Sequence, residues 1–385
     1  DQVALVSCDL VCLTTDIAQQ SKALIESEVG IAPDHVLLCA THTHTGPEPR
    51  PNSWVPQATE WVAGLPRLIA KAVAEAASKV VPVTLRLGKA EAEGYAWNRL
   101  FRLKDGQEVF GKAGREDQVL GTAGPIDPEL QTLSLVDESG RVRGMLVNFA
   151  LHPDVIGGGS ANFISADWPG EVGKNLATIY GDDVVTLFLQ GTCGDINHCA
   201  HVPTFLPTRG PDKAVQLGRG IAGVAMHAAE RAEPMTDTTF SAEISVIDIP
   251  YYTRDARQWA EVEALRKKEK LNDFERFTIS LTESWQYDNE IAKVPIHVIR
   301  LGELALVGFP AEIFARLGLE LKQWSPAGQT MLIELANVRV SNYVPTTDQA
   351  ERGAYGAKPI LSRWLCADAG RRMIDQALVM LQRKW

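Results

Sequence analysis

The sequence predicts an α/β fold with a mixed β-sheet core and flanking helices, and three observations lead there. Short apolar runs alternate with amphipathic helical stretches through the first two hundred residues, the habit of β-α-β units. Other runs are joined by tight turn sequences, so antiparallel pairs accompany the parallel ones and the sheet is mixed. The chain of 385 residues is 45% hydrophobic and 22% charged, enough to bury a large core as one domain or as two intimate lobes.

Each element has its own signal. VALVSCDL (3–10) opens as a strand, and a helix is predicted near 16–29, closed by Gly30 in the manner of a helix C-cap. HVLLCA (35–40) is a short run of β-branched and aliphatic residues bounded by turn formers, hence a buried strand. A second helix near 57–80 leads to VTLRLG (83–88). FRLKDGQEVF (101–110) and LSLVDESGRVRGMLV (133–147) read as hairpins around DG and ESG turns. A helix near 169–180 precedes VVTLFLQ (184–190). Beyond these come TTFSAEISVIDIPYY (238–252), a charged helical insertion about 254–286, KVPIHVIRLGELALVGFP (293–310) and a closing helix about 367–383. With no internal repeat, low-complexity linker or charge block, residues 1–385 are read as a single catalytic domain. The strand-like start, without initiator Met or leader, predicts that residues upstream of position 1, N-terminal strands among them, have been removed or lie outside this sequence.

The net charge of −10 and pI near 5.4 argue against binding nucleic acid, which needs a basic surface to neutralise phosphates. No apolar stretch approaches the ~20 residues of a transmembrane helix. The six cysteines contain no CxxC pair, which argues against a zinc ribbon or a thioredoxin-type site. Cys193 and Cys199 can be a local disulfide or two reduced residues. Neither compartment nor oligomeric state is specified.

The chemistry concentrates at strand ends. His42 and His44, in CATHTHTGPEPR, leave HVLLCA at its carboxyl edge, where open α/β sheets collect ligands. VNFALHP presents His152 before the loop GGGSANFISADWPG, LALVGFPAEIF presents Glu312, and ELANVRVSNYVPT presents Tyr343. Taken singly, each also has a structural reading. His152 can be a core histidine, Glu312 a first-turn acid favoured by a helix dipole by ~0.3–1 kcal/mol, and Tyr343 a core aromatic with its hydroxyl satisfied. His35, His227 and His297 lie inside apolar patterns and are read as structural. His198-x-x-His201, with Cys193 and Cys199 nearby, is a candidate for a second metal. The glycines at 157–159 lack the Lys-Ser/Thr of a phosphate loop and are read as letting the chain bend close to a metal.

Taken together, THTHTGP, AWNRLFRLKDG, NFALHP, GGGSANFISADWPG, QGTCGDINH, PAEIF and NYVPT occur in the order of the neutral, non-lysosomal ceramidase family, which the sequence resembles from near residue 1 to its closing helix. The resemblance implies a ceramidase-like catalytic domain: a zinc-dependent hydrolase of the amide in an N-acyl lipid, ceramide-like or related, within sphingolipid metabolism and in a secreted or periplasmic setting. It matches His42, His152, Glu312 and Tyr343 to zinc ligands and His44 and Arg99 to the catalytic pair. Asp167 is then expected to orient a ligand imidazole. The alternatives are a metal-dependent esterase or glycan-acting lyase on the same scaffold, or an inactive binding protein.

Two departures bear on substrate. The family's counterpart of QGTCGDINH carries serine and asparagine before its Gly-Asp, where this chain has Gly191 and Thr192, so no role passes to that serine. The larger members of that family append a C-terminal immunoglobulin-like domain, and the expectation here is a catalytic domain without one. Both predict a smaller or more polar N-acyl substrate than ceramide.

Overall fold

The computed structural model describes residues 2–51, 53, 56–111, 114–157, 162–198 and 208–385. Two mixed sheets, rather than one, form the centre. The first runs Val185–Gln190, Val142–Phe149, Glu129–Asp137, Val83–Glu91 and Glu233–Pro234, with only its first pair parallel. The second runs Phe240–Pro250, Ile291–Leu301, Leu304–Gly308 and Gln329–Ile333, with only its last pair parallel.

Strand alternation sorts side chains into layers. Met145, Val147 and Phe149 face the helices Asp167–Tyr180 and Pro211–Glu230, whereas Leu146 joins Leu133 and Leu189 against Leu304, Leu306 and Met331 of the second sheet. The other face of that second sheet, through Val294, Ile296, Val298, Ala305 and Val307, packs on the helices Ala315–Trp324 and Ala369–Lys384. The result is helix, sheet, sheet, helix.

A separate parallel pair, Ala4–Cys8 with Val36–Ala40, carries the helices Thr15–Val29 and Thr59–Ala77. It is tied to the first sheet by Ser7 Oγ donating to Phe188 O at 2.5 Å. Asn337 N donates to Leu38 O at 2.7 Å, joining the pair to the segment after the second sheet. Thus Val36–Ala40 ends in the seam between the two sheets.

Both hairpins form as predicted, Gly30 caps its helix at φ 81, and the helical insertion contains Ala256–Arg266 and Asp273–Ser284, each opened by a capping box. Helix Pro211–Glu230 has no counterpart in the sequence reading. Its buried stripe of Ala214, Leu217, Ile221, Ala225 and Ala228 has helical spacing, but small residues and three glycines dilute its hydrophobic signal. Among the described residues no helix is long and apolar enough to cross a membrane.

Candidate metal centre

Main-chain bonds stitch three loops together. Thr41 N donates to Cys8 O and His42 N to Leu10 O, at 2.8 and 3.0 Å, anchoring the THTHT segment to the preceding strand's exit. His44 N donates to Pro153 O at 3.1 Å, bringing in ALHP, and Ser165 N donates to Thr45 O at 3.1 Å, bringing in SADWPG. The THTHT loop is not extended: His42 has φ 70, in the left-handed region that costs a non-glycine residue ~1–3 kcal/mol. That kink, rather than an extended backbone, turns His44 back toward the pocket that His42 enters.

His42 and His152 are 2% and 0% exposed, and His44 is half-buried. His42 Nδ1 lies 2.7 Å from Val11 O, and His152 Nδ1 lies 2.9 Å from Cys193 O. A carbonyl oxygen can only accept, so each Nδ1 carries a hydrogen and each Nε2 points inward, where a neutral ring would offer its lone pair to a metal. These two Nε2 atoms are 3.0 Å apart, and Glu312 Oε2 stands 3.4 and 3.3 Å from them. His44 Nε2 lies 3.4 Å from His42 Nε2.

Unprotonated, three acceptors buried face to face would repel unless a cation lay between them, and among the described residues Glu312 Oε2 has no hydrogen-bond donor. Donors bound tetrahedrally to zinc at ~2.0–2.1 Å stand ~3.3–3.4 Å apart. The spacing and the nitrogen–oxygen donor set therefore fit zinc. The ligand atoms of His42, His44 and His152 all fall within 4.8 Å of one another, a grouping able to hold a metal ion.

Electrostatics agree. Burial and Arg99 lower His152 to about 4, and burial with His42 and His152 lowers His44 to about 3, so both are neutral imidazoles at pH 7. Burial alone would raise the Glu312 carboxyl, but positive charge at His42 and hydrogen-bond donation from His152 and His42 outweigh it and hold the group well below the carboxylate range; with neutral rings a bound cation would supply the same pull.

Arg99 arrives from the short strand pairing of Trp97–Asn98 with Ile196–Asn197. Asp195 fixes that segment by accepting from Arg99 N at its main-chain oxygen, 2.8 Å, and from Asn98 Nδ2 at its carboxylate, 2.7 Å. The buried guanidinium is surrounded by the rings of Tyr355, Tyr343 and Phe110 at 5.0, 5.5 and 5.6 Å. One of its NH2 groups donates to Gly194 O at 2.6 Å and to the Tyr343 hydroxyl at 3.2 Å, while Nε has no acceptor among the described residues. Tyr343 pairs with Glu312 in a parallel bridge, and Glu312 adds to burial in pushing its hydroxyl up. Glu312 itself lies in the strand Glu312–Ile313 and not in a first helical turn.

Asp167 does something other than orient an imidazole. Main-chain carbonyls hold both Nδ1 atoms, and the Asp167 carboxylate instead accepts from Ile156 N and Trp168 N at 2.9 and 2.7 Å. It shapes the loop beyond His152. Gly191 and Thr192 are core residues, not pocket lining: a side chain at Gly191 would meet Ala150 N at 2.9 Å, and Thr192 is 1% exposed. The core position removes one of the two reasons for expecting a smaller substrate.

The candidate second metal site does not form at His198. His198 Nδ1 faces Asp154 Oδ1 at 3.0 Å and its Nε2 faces Thr208 O at 2.9 Å, two acceptors that leave no free ring nitrogen for a metal. Cys199 and His201 lie outside the described residues, as do Gly158 and Gly159. Cys193 is a free buried thiol, 3.1 Å from both Glu334 Oε1 and His152 Nδ1.

No family model matches the chain, and no curated protein matches it. Solved structures do. A neutral ceramidase from Pseudomonas aeruginosa aligns with a TM-score of 0.73 at 18% identity over 98% of this chain and 66% of that one. A ceramidase complexed with C2 aligns with a TM-score of 0.73 at 17% identity over 98% of this chain and 67% of that one. The chain thus has a neutral ceramidase-like fold and spans about two thirds of those chains.

Proposed function

We propose that the protein is a zinc-dependent amidohydrolase that cleaves the amide of an N-acyl lipid or related N-acyl compound. The observation that carries this is the convergence of three buried potential ligand atoms, with His42 Nε2 and His152 Nε2 3.0 Å apart and Glu312 Oε2 3.4 and 3.3 Å from them. The resemblance of the motifs and the shared fold support the same reading.

In this reading His42, His152 and Glu312 hold the ion, with Tyr343 beside them. Zinc would supply a water acidified from ~15.7 toward ~7 for attack on the carbonyl. His44, half-buried and two residues beyond His42, takes up a proton and returns it to the departing amine. Arg99, with Nε lacking an acceptor among the described residues, stabilises the oxyanion. Ile164 and Phe163, 73% and 48% exposed on the loop tied to Thr45, and Phe110 and Tyr355, 47% and 45% exposed beside Arg99, give the surroundings an apolar rim suited to an acyl chain.

The test couples metal analysis to turnover. The purified chain should carry about one zinc, lose amidase activity to a chelator and regain it with zinc. His44→Ala should keep the metal while turnover falls by roughly 10²-fold or more. Loss of zinc in His44→Ala would make His44 a ligand, and ester hydrolysis or glycan lysis without amide cleavage would move the protein to the esterase or lyase reading. On one amine, kcat/KM against acyl length tests the expectation of a substrate smaller or more polar than ceramide. Each buried methylene is worth up to ~0.8 kcal/mol, so a steady rise out to long chains would show an intact acyl groove and overturn it.

A further inference from the structure

Glu334 closes the strand Gln329–Ile333 and is 0% exposed. Its carboxylate reaches two segments that come from different parts of the chain. Oε2 accepts from Cys193 N at 3.1 Å and from Ile313 N at 2.9 Å, and Oε1 accepts from Cys193 Sγ at 3.1 Å. Those residues are the immediate supports of the metal centre. Cys193 supplies the carbonyl that holds His152 Nδ1, and Ile313 is the neighbour of Glu312.

We propose that Glu334 is a positioning residue that sets the spacing between His152 and Glu312 and thereby the affinity of the centre for its metal. The inference rests on the zinc reading above and adds a residue that touches no ligand atom of the centre directly. One oxygen bonded to both peptide N–H groups fixes the rotation of the two peptides relative to each other. The main-chain bond from Gly194 N to Ile313 O, 2.9 Å, already holds the segments together, so Glu334 governs their orientation rather than their proximity. Its own peptide is anchored by Glu334 N donating to Gln190 O at 3.0 Å, which leaves the side chain little freedom. Deleting the carboxylate would strand two buried N–H groups, which can find new acceptors only by turning the peptides that aim His152 and Glu312.

The experiment compares Glu334→Gln with Glu334→Leu, using the metal-free protein titrated with Zn2+ against a chromophoric chelator and with Co2+ read by its visible absorption. The glutamine amide oxygen can accept from both peptide N–H groups, so Glu334→Gln should bind within about threefold of the parent and keep its Co2+ spectrum. Glu334→Leu should bind roughly 10–100-fold more weakly, the range for lost support around a ligand, with an altered spectrum. If Glu334→Leu does not fold, the glutamine variant still decides. A loss on Glu334→Gln comparable to removal of the carboxylate would make charge the role of Glu334 and overturn the proposal. Unchanged affinity and spectrum in a folded Glu334→Leu would overturn it too, with the zinc reading intact. A parent protein that binds neither ion overturns the zinc reading itself.

Discussion

His152 and His297 are both 0% exposed, yet they end in opposite chemical situations. His297, within the strand Ile291–Leu301, has both ring nitrogens satisfied: Nε2 lies 2.8 Å from Asp34 O, and Nδ1 accepts from Asn337 Nδ2 at 3.1 Å. His152 has one nitrogen satisfied, by Cys193 O, and turns the other toward His42 Nε2 at 3.0 Å and Glu312 Oε2 at 3.3 Å. Burial therefore does not distinguish a ligand from a core histidine. The partners do: His297 meets main chain and an amide, whereas His152 Nε2 meets two further potential metal-ligand atoms, and such a group shut away from water needs a shared proton or a metal ion.

The largest expected effect is on metal uptake. His152→Ala should weaken zinc binding by more than about 100-fold, since an entire donor is lost and not merely its support. His297→Gln should leave zinc affinity within about threefold. Thermal unfolding gives a second reading: zinc at ~100 times its Kd should stabilise the parent and His297→Gln by ~2.7 kcal/mol and His152→Ala by almost nothing. Equal metal loss in both variants would erase the distinction between the two histidines.

The same comparison carries a pH signature in the metal-free protein. Burial, followed by the Lys22 charge, pushes His297 down from 6.5 to about 3. The unfolded chain takes up a proton there near 6.5, while the folded chain resists until about 3, so the stability contribution is complete above 6.5 and falls as pH drops through that window. Each pH unit in it costs about 1.4 kcal/mol for one proton. His297→Gln should flatten the dependence of unfolding free energy on pH between 6.0 and 4.5 by about one proton relative to the parent. Parallel curves for the two proteins would show that His297 is already titratable in the fold.

How much of this was legible in the sequence follows from which interactions leave a local trace. His42 and His152 follow the strands Val36–Ala40 and Val142–Phe149 and stand out in the sequence for that reason, whereas Glu312 and Tyr343 open two-residue strands of their own and were matched as ligands by the resemblance. The partners that orient the rings leave none. Val11 O and Cys193 O are backbone atoms 31 and 41 residues from the histidines they hold, and any residue type supplies a carbonyl. Glu334, likewise, reads in sequence as the polar end of a buried strand, and its bridge spans 141 residues to Cys193 and 21 to Ile313. Two sheets in place of one escaped for a related reason: the pattern of a strand shows which side chains are apolar, not which neighbour they meet. Asp167 was misread because the residue type fits an imidazole partner, whereas φ 57 at that position points its carboxylate at local main chain.

That last correction gives the smallest expected effect. Asp167 accepts from Ile156 N through one oxygen and from Trp168 N through the other, and its own N donates to Ser165 Oγ at 3.0 Å. Asparagine tolerates the left-handed backbone there better than most residues, so Asp167→Asn isolates the loss of one acceptor. An amide nitrogen would then face one of the two N–H groups, at a cost of ~1–2 kcal/mol in stability. Zinc affinity should stay within about threefold, because Val11 O and Cys193 O, not Asp167, hold the ligand rings. Denaturant unfolding and the same chelator competition measure the two quantities on one sample. A tenfold or larger loss of zinc affinity in Asp167→Asn would return that residue to the support of an imidazole, acting through the loop from His152 to Ile156.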